Sequence, residues 1–447
     1  MKEASRVYFV GIGGIGMSAL AQLFQHQGKN VSGSDREDSP TTALLAKKGI
    51  KVCLPAGQVG IGHEQCTIPT DTELLVYSDA VPLDNVERAR AREMNIPQVS
   101  YFEALGEVSA SMRTIAVSGT HGKTTTTGML ATILKVAGKE PTAIVGSIVR
   151  DFSNSLPDSR IGGSNFLSGK SNIFVVEACE YKEHLLELSQ EILVITNIEL
   201  DHTDFFPSLS ALQNTFRKAV ERVPKNGVIV ANPSDPIVAA VLTSAKAPII
   251  DYTTQTVPEL QLLGEFNAMN ARAAKAAARA AFPHLQEEYT DRALLNFKGS
   301  WRRFEYKGET PQGALVYDDY AHHPTAVAKT IEVVREKFPE NKIVIAFHPH
   351  LYSRTRDFMD GFARALSLAD EVILAPIYAA RESPVEGITS DVLAGKITEL
   401  GTPATAFASL SEVRDALLAT SYKLQTKGLI ITMGAGDIYK VAEQIVS

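Results

Sequence analysis

Two glycine loops, each closing a short apolar strand and opening a helix-length segment, constrain this chain more than any other feature. The first is Val7-Tyr8-Phe9-Val10 followed by Gly11-Ile12-Gly13-Gly14-Ile15-Gly16, and the second is Ala116-Val117-Ser118 followed by Gly119-Thr120-His121-Gly122-Lys123-Thr124. A strand that turns on glycine into a helix is the start of a parallel βαβ unit, so each loop is expected to begin a domain of its own. Between and beyond them, apolar runs such as Leu74–Tyr77, Thr114–Val117, Ile173–Val176, Ile192–Ile195, Ile343–Ala346 and Glu371–Leu374 alternate with amphipathic stretches. Continuous apolar runs are what strands covered on both faces look like, which gives an α/β class. A first boundary is expected near residues 106–112. A second follows an alanine-rich helix over Asn267–Ala281, at about 309, before a strand starting near Leu315. The expected domains are therefore 1–107, 108–309 and 310–447.

A formal net charge of −7 gives no basic footprint for nucleic acid. No apolar run approaches the roughly 20 residues of a membrane span, and Met1-Lys2-Glu3 leads into a strand without the apolar core of a signal peptide. The cysteines Cys53, Cys66 and Cys179 show neither a short-spaced metal pair nor a disulfide framework, so a reducing, cytoplasmic setting is expected.

In the first loop, Gly11, Gly13, Gly14 and Gly16 allow a tight turn, and the helix entered at Ile15 presents its positive end to a diphosphate. Asp35 stands where a carboxylate can accept from a ribose hydroxyl. The chemistry read here is a diphosphate and a ribose, which NAD and a UDP-sugar both carry. A dinucleotide oxidoreductase and a sugar-nucleotide enzyme both remain open, as does a glycine turn chosen for packing.

The second loop departs from the strict P-loop pattern, because Val117 stands at its first glycine position. Gly119 and Gly122 still free backbone N–H groups, Lys123 brings a positive charge to the terminal phosphates of ATP, and Thr124 is a hydroxyl ligand for Mg²⁺ or Mn²⁺, with Thr125 behind it in the helix. A carboxylate on a neighbouring strand is also required. Glu177 ends the run Ile173–Val176, and His202 follows the next strand as a possible holder of a second ion. Singly each is ordinary; together behind a Gly-Lys-Thr loop they are not.

Gly119–Thr126, Glu177 and Thr196-Asn197-Ile198-Glu199-Leu200-Asp201-His202 resemble the ATP-dependent peptidoglycan-precursor ligases of the Mur ligase family. So do Gly264–Asn270, Trp301–Glu305, Asp318–Pro324 and Phe347–Thr355. The resemblance implies three α/β domains: a Rossmann-like UDP-sugar domain, a P-loop ATPase-like centre, and a Rossmann-like C-terminal amino-acid-binding or lid domain. It implies an ATP site at Gly119, Thr120, His121, Gly122, Lys123, Thr124 and Thr125, with Asn267, Asn270 and Asp318 at adenine and ribose and Arg303 at phosphate. Thr124, Glu177 and His202 would hold metal. Gly11, Gly13, Gly14, Ile15, Gly16, Asp35, Ser78 and His121 would meet the sugar nucleotide; Tyr320, His322 and Arg354 would meet the incoming amino acid, with His322 also a possible base.

The wording Gly11–Ser18 points to the branch that accepts UDP-N-acetylmuramate. One sub-branch adds L-alanine through an acyl phosphate and another attaches a tripeptide; Arg302-Arg303-Phe304 and His348–Thr355 favour L-alanine. Peptidoglycan synthesis and cell-wall biogenesis follow as the setting. A non-catalytic P-loop protein is the rival from another class, and the oligomeric state stays open. This chain departs from the family at Ala178-Cys179-Glu180-Tyr181-Lys182, where two acids are missing, at Phe266 in place of a common His, and at Leu351 in place of an Arg. Lys218 lies near the place where several relatives use a carbamylated lysine, which the alanine-adding branch is not expected to need.

Overall fold

The computed structural model describes residues 3–54, 66–152, 162–380 and 382–446. The chain divides into two compact units. One comprises Met1–Glu199, Leu212–Leu262 and Phe266–Gly299; the other comprises Leu200–Ala211, Leu263–Glu265 and Ser300–Ser447.

The first unit holds two sheets. Strands β1 (Arg6–Val10), β2 (Asn30–Ser34), β3 (Lys51–Cys53), β4 (Leu74–Tyr77) and β5 (Gln98–Ser100) form an all-parallel sheet in the order β3-β2-β1-β4-β5. The order reverses between β1 and β4, so a crevice opens at their carboxyl ends, where such sheets bind ligands. Strands β6 (Arg113–Ser118), β7 (Thr142–Val149), β8 (Ser164–Leu167), β9 (Ile173–Glu177), β10 (Ile192–Ile195), β11 (Val228–Ala231) and β12 (Ile249–Asp251) run in the order β12-β11-β10-β6-β9-β7-β8, parallel except for the edge strand β8. The alanine-rich helix spans Glu265–Ala281 and buries Ala271, Ala273, Ala274, Ala276, Ala277 and Ala278 in the core of this sheet. Small side chains let it approach closely, and the one long residue among them, Lys275, is fully buried with its ammonium held by Thr256 O, Glu287 and Asp291 at 2.7–2.8 Å.

A buried polar network ties the two sheets together. Asn165, on β8, donates to Ile15 O at 2.6 Å and Ser18 Oγ at 2.8 Å, and accepts from Gln22 at 2.9 Å. The helix Ile15–His26, which carries the first glycine loop, is thereby pinned to the central sheet.

The second unit contains β13 (Glu305–Glu309), β14 (Leu315–Asp319), β15 (Lys342–Phe347), β16 (Glu371–Leu374), β17 (Ala404–Ala406) and β18 (Gly428–Met433), ordered β13-β14-β18-β15-β16-β17. All pairs are parallel except β13 with β14, because Thr310–Ala314 is too short a link for a crossover. Residues 305–309 thus join the third sheet rather than closing the central one, earlier than the break expected at about 309. The α/β class and its three sheets agree with the sequence reading, with two antiparallel edge pairings it did not anticipate.

Among the described residues no helix is long and apolar enough to cross a membrane. One expectation is corrected: Cys53, ending β3, is disulfide-bonded to Cys66, with Cα atoms 5.8 Å apart, leaving Cys179 free. Cysteine usage therefore no longer argues for a reducing compartment. A single bridge has no spacing signature, and only the return of the chain to the end of β3 reveals it.

Candidate functional site

Three adjacent parallel strands, β9, β6 and β10, assemble the phosphate end of the site. Their register pairs Val117 with Glu177 and Ser118 with Ile195, so the loop after β6, the carboxylate ending β9 and Thr196 after β10 emerge side by side. Sequence separation is cancelled by strand order.

The loop is shaped by its glycines. Gly119 and Gly122 have φ of +128° and +84°, which disfavours any side chain, and a Cβ at either would overlap Thr196 or Asn270 respectively. Gly122 caps the helix Lys123–Val136. Thr126 donates to Asn270 Oδ1 at 3.3 Å, and Asn270 donates to Asn267 Oδ1 at 3.3 Å, so both asparagines expected at the adenine stand beside the loop. Substituting Gly122 with Ala combines backbone strain with this overlap, and is expected to cost about 1–3 kcal/mol in chemical denaturation. Gly28 has a similar φ of +85° but open space around it; Gly28→Ala is expected to cost less, and equal losses would contradict the packing argument.

Thr124 Oγ1 donates to Glu177 Oε1 at 3.1 Å, and the other Glu177 oxygen accepts from Gly146 N at 2.7 Å. These are hard oxygen donors of the kind Mg²⁺ takes, and their separation matches the ~3.0 Å between neighbouring ligands of an octahedral ion with bonds of about 2.1 Å. The residues thus fit the ion. Lys123 Nζ donates to Thr120 O at 3.1 Å and to Glu180 at 3.0 Å. Burial alone would lower the Lys123 pKa, but the charge of Glu180, with Glu177 behind it, raises it, so the ammonium is kept. Burial also pushes the Cys179 thiol up to about 12, leaving it protonated. His121 Nε2 meets Glu199 at 2.7 Å, and its backbone N–H donates to Asn197 at 2.9 Å; Thr120 Oγ1 donates to Glu199 O at 2.8 Å. Thr125 is buried in the first turn of the helix. Gly146 carries no motif signal of its own and becomes visible only here, while Asn197 and Glu199 lie within the motif Thr196–His202 but had no role assigned to them.

The first glycine loop lies at the β1/β4 crevice. Gly11, at φ +79°, packs on Ser78, whose N–H donates to Val10 O at 3.0 Å, so the loop and Ser78 are brought together. Gly14 caps the helix that Ile15 begins. Asp35 accepts from Gly13 N at 2.7 Å through one oxygen, which braces the glycine loop, and from Arg36 N at 2.8 Å through the other.

The second unit carries the remaining predicted residues. Asp319, Met433 and Phe347 are aligned across β14, β18 and β15, which sets Tyr320–His323 and His348–Arg354 at one sheet edge. His322 Nδ1 faces Tyr320 O at 2.8 Å. A carbonyl can only accept, so Nδ1 holds the proton and Nε2 presents its lone pair. Burial and the Arg354 charge lower the His322 pKa well below its usual value, so the ring is neutral. His202 has φ of +53°, a conformation rare for a side chain of its size, and its carbonyl accepts from Phe205 N and Phe206 N at 2.8 Å. Arg303 lies over the Tyr320 ring at 5.1 Å.

Asp318, expected at the ribose, is fully buried, accepting from Arg302 at 2.7 Å and Thr432 at 2.6 Å. Arg302 also donates to Gly436 O and Gly434 O, so the buried charge of Asp318 is answered by its partner. Arg354, expected to grip the amino-acid carboxylate, already directs Nε and Nη2 at Asp201 Oδ1, at 3.0 and 2.8 Å, while Nη1 meets His350 at 3.1 Å.

Comparison with known proteins agrees with this architecture. The chain matches the family descriptions "Mur ligase family, catalytic domain" over residues 6–113, "Mur ligase middle domain" over 117–258 and "Mur ligase, glutamate ligase domain" over 302–436. It is 35% identical to the UDP-N-acetylmuramate–L-alanine ligase of Caldicellulosiruptor saccharolyticus, covering 99% of this chain and 98% of that one. Among solved structures, the UDP-N-acetylmuramate–alanine ligase of Thermotoga maritima superposes with a TM-score of 0.77 at 27% identity over 98% of both chains. The murein peptide ligase of Psychrobacter arcticus gives 0.69 at 22% identity over 99% of both, a likeness of fold. Full-length identity at this level, three consecutive family matches and the shared three-sheet fold establish that the chain belongs to the Mur ligase family of ATP-dependent amide-bond-forming ligases.

Proposed function

We propose that this enzyme joins L-alanine to the lactoyl carboxylate of UDP-N-acetylmuramate, consuming ATP, as a cytoplasmic step of peptidoglycan precursor synthesis. The observation that carries the reading is the cluster of Lys123, Thr124 and Glu177 at one strand edge, in a chain related along its whole length to alanine-adding ligases. In this reading 1–107 binds the sugar nucleotide, 108–309 binds ATP, and 310–447 binds the amino acid.

A carboxylate is a poor electrophile. Its oxygen first attacks the γ-phosphorus of ATP, the bond to ADP breaks, and an acyl phosphate forms. The amine of L-alanine then attacks the acyl carbon, gives up a proton, and inorganic phosphate leaves. Lys123 neutralises charge on the transferring phosphoryl group, the loop amides of Gly119–Gly122 orient it, and Arg303 adds a second cation. Mg²⁺ bound by Thr124 and Glu177, with His202 at a second ion, would supply further charge neutralisation. A neutral His322 with Nε2 unprotonated is suited to take the proton of the attacking amine. No nucleic acid or membrane partner is called for.

The test is phosphate release from ATP with UDP-N-acetylmuramate and single amino acids, beside the tripeptide L-Ala-γ-D-Glu-meso-diaminopimelate. Release is expected with L-alanine. Release with the tripeptide only would make this a recycling ligase, and release independent of any acceptor would end the ligase reading.

A further inference from the structure

Tyr101 opens the helix Tyr101–Ala110, directly after β5, and no motif singles it out. Its ring lies against the first glycine loop: a Cβ at Gly16 would sit 2.6 Å from Tyr101 Cζ and 2.7 Å from its hydroxyl. The residue is only partly exposed, and among the described residues no hydrogen bond to its hydroxyl is found. Burial, with the charge of Glu177 adding to it, raises the phenol pKa. At neutral pH it is a hydrogen-bond donor, and its hydroxyl lies over the first glycine loop.

The side chain is held in place. Phe102 meets its ring edge-on at 4.8 Å, Phe102 stacks on His184 at 3.6 Å, and His184 pairs with Asp79 at 2.8 Å, next to Ser78. The helix carrying Gly16 is fixed in turn by Asn165. A donor for which the described residues offer no acceptor, packed rigidly over the first glycine loop, is arranged for an anionic ligand seated there.

We propose that Tyr101 is a substrate-binding residue whose hydroxyl donates to an anionic oxygen of the sugar nucleotide, holding the stretch between its diphosphate and the carboxylate to be activated. This rests on the sugar-nucleotide reading above. It concerns recognition, and adds no step to the chemistry.

The test compares wild type with Tyr101→Phe, which keeps the ring packing on Gly16 and deletes only the donor. Calorimetric titration without ATP is expected to show UDP-N-acetylmuramate binding weakened about tenfold, the scale of one hydrogen bond to a charged group. ATP affinity and the unfolding midpoint stay close to wild type, and the fall in kcat/KM is carried by KM for the sugar nucleotide. With UDP alone, an equal loss assigns the bond to the diphosphate; no loss assigns it to the lactoyl carboxylate. Unchanged UDP-N-acetylmuramate binding, or ATP and sugar-nucleotide affinities falling together, would overturn the inference while leaving the ligase reading intact. Failure of the wild type to bind UDP-N-acetylmuramate would instead remove that reading, and this inference with it.

Discussion

Lys123→Ala is expected to reduce phosphate release on the order of 10³-fold or more, because it removes the positive charge nearest the phosphoryl group in transfer. UDP-N-acetylmuramate binding should survive, since in the proposed reading its diphosphate meets the loop Gly11–Gly16, which belongs to a different sheet. Two effects must be separated. Lys123 also neutralises Glu180, whose side chain is about 1% exposed, and an unanswered buried carboxylate is costly. The double variant Lys123→Ala with Glu180→Gln is expected to recover thermal stability without recovering turnover. Turnover within tenfold of wild type in the single variant would show that the ammonium does not serve the reaction.

Arg354→Ala is expected to destabilise the protein by about 3–5 kcal/mol at neutral pH, through the carboxylate it leaves behind. Asp201 and Arg354 are both buried, with side chains 7% and 5% exposed. Burial by itself would raise the Asp201 pKa, but the Arg354 guanidinium outweighs it and holds the carboxyl far below its usual range. A group whose folded pKa is depressed contributes stability that is complete above its unfolded pKa, about 3.9, and drains away as the pH falls below it. In the variant the sign reverses, because an unpaired buried carboxyl favours its protonated form. The stability gap between the two proteins is therefore expected to be widest near pH 7 and to narrow as pH falls through the carboxylate range, as followed by urea denaturation. Arg354→Ala together with Asp201→Asn should restore most of the loss. A gap independent of pH would show that packing, not charge, makes the contact.

The strands ending in Val10, Tyr77, Glu177 and Ile195 were legible because a strand buried on both faces must be apolar throughout. The two glycine loops were legible for a related reason: only glycine tolerates the positive φ of Gly11, Gly119 and Gly122. Lys123, Thr124 and Glu177 could be grouped because phosphate and metal chemistry demand a cation, a hydroxyl and a carboxylate.

Other features were hidden because they are pairings rather than residue types. Asp35 and Asp318 read as ligand-binding acids, and Arg354 as a carboxylate grip, since a carboxylate or guanidinium in a motif looks the same whether it faces a ligand or a partner. Gly13 N–H, Arg302 and Asp201 are what each of them meets, and none is adjacent in sequence. The Cys53–Cys66 bridge and the Tyr101 ring on Gly16 are likewise facts of distance.

The amino-acid sequence by itself determined the α/β class, the two glycine loops and the family, because backbone conformation and strand burial restrict which residue can stand at a given position. Only the tertiary structure decided which charged groups are free to meet a substrate and which are already answered by the protein. A buried charge must find its counter-charge wherever the strand order delivers it, and that order is not written in local sequence.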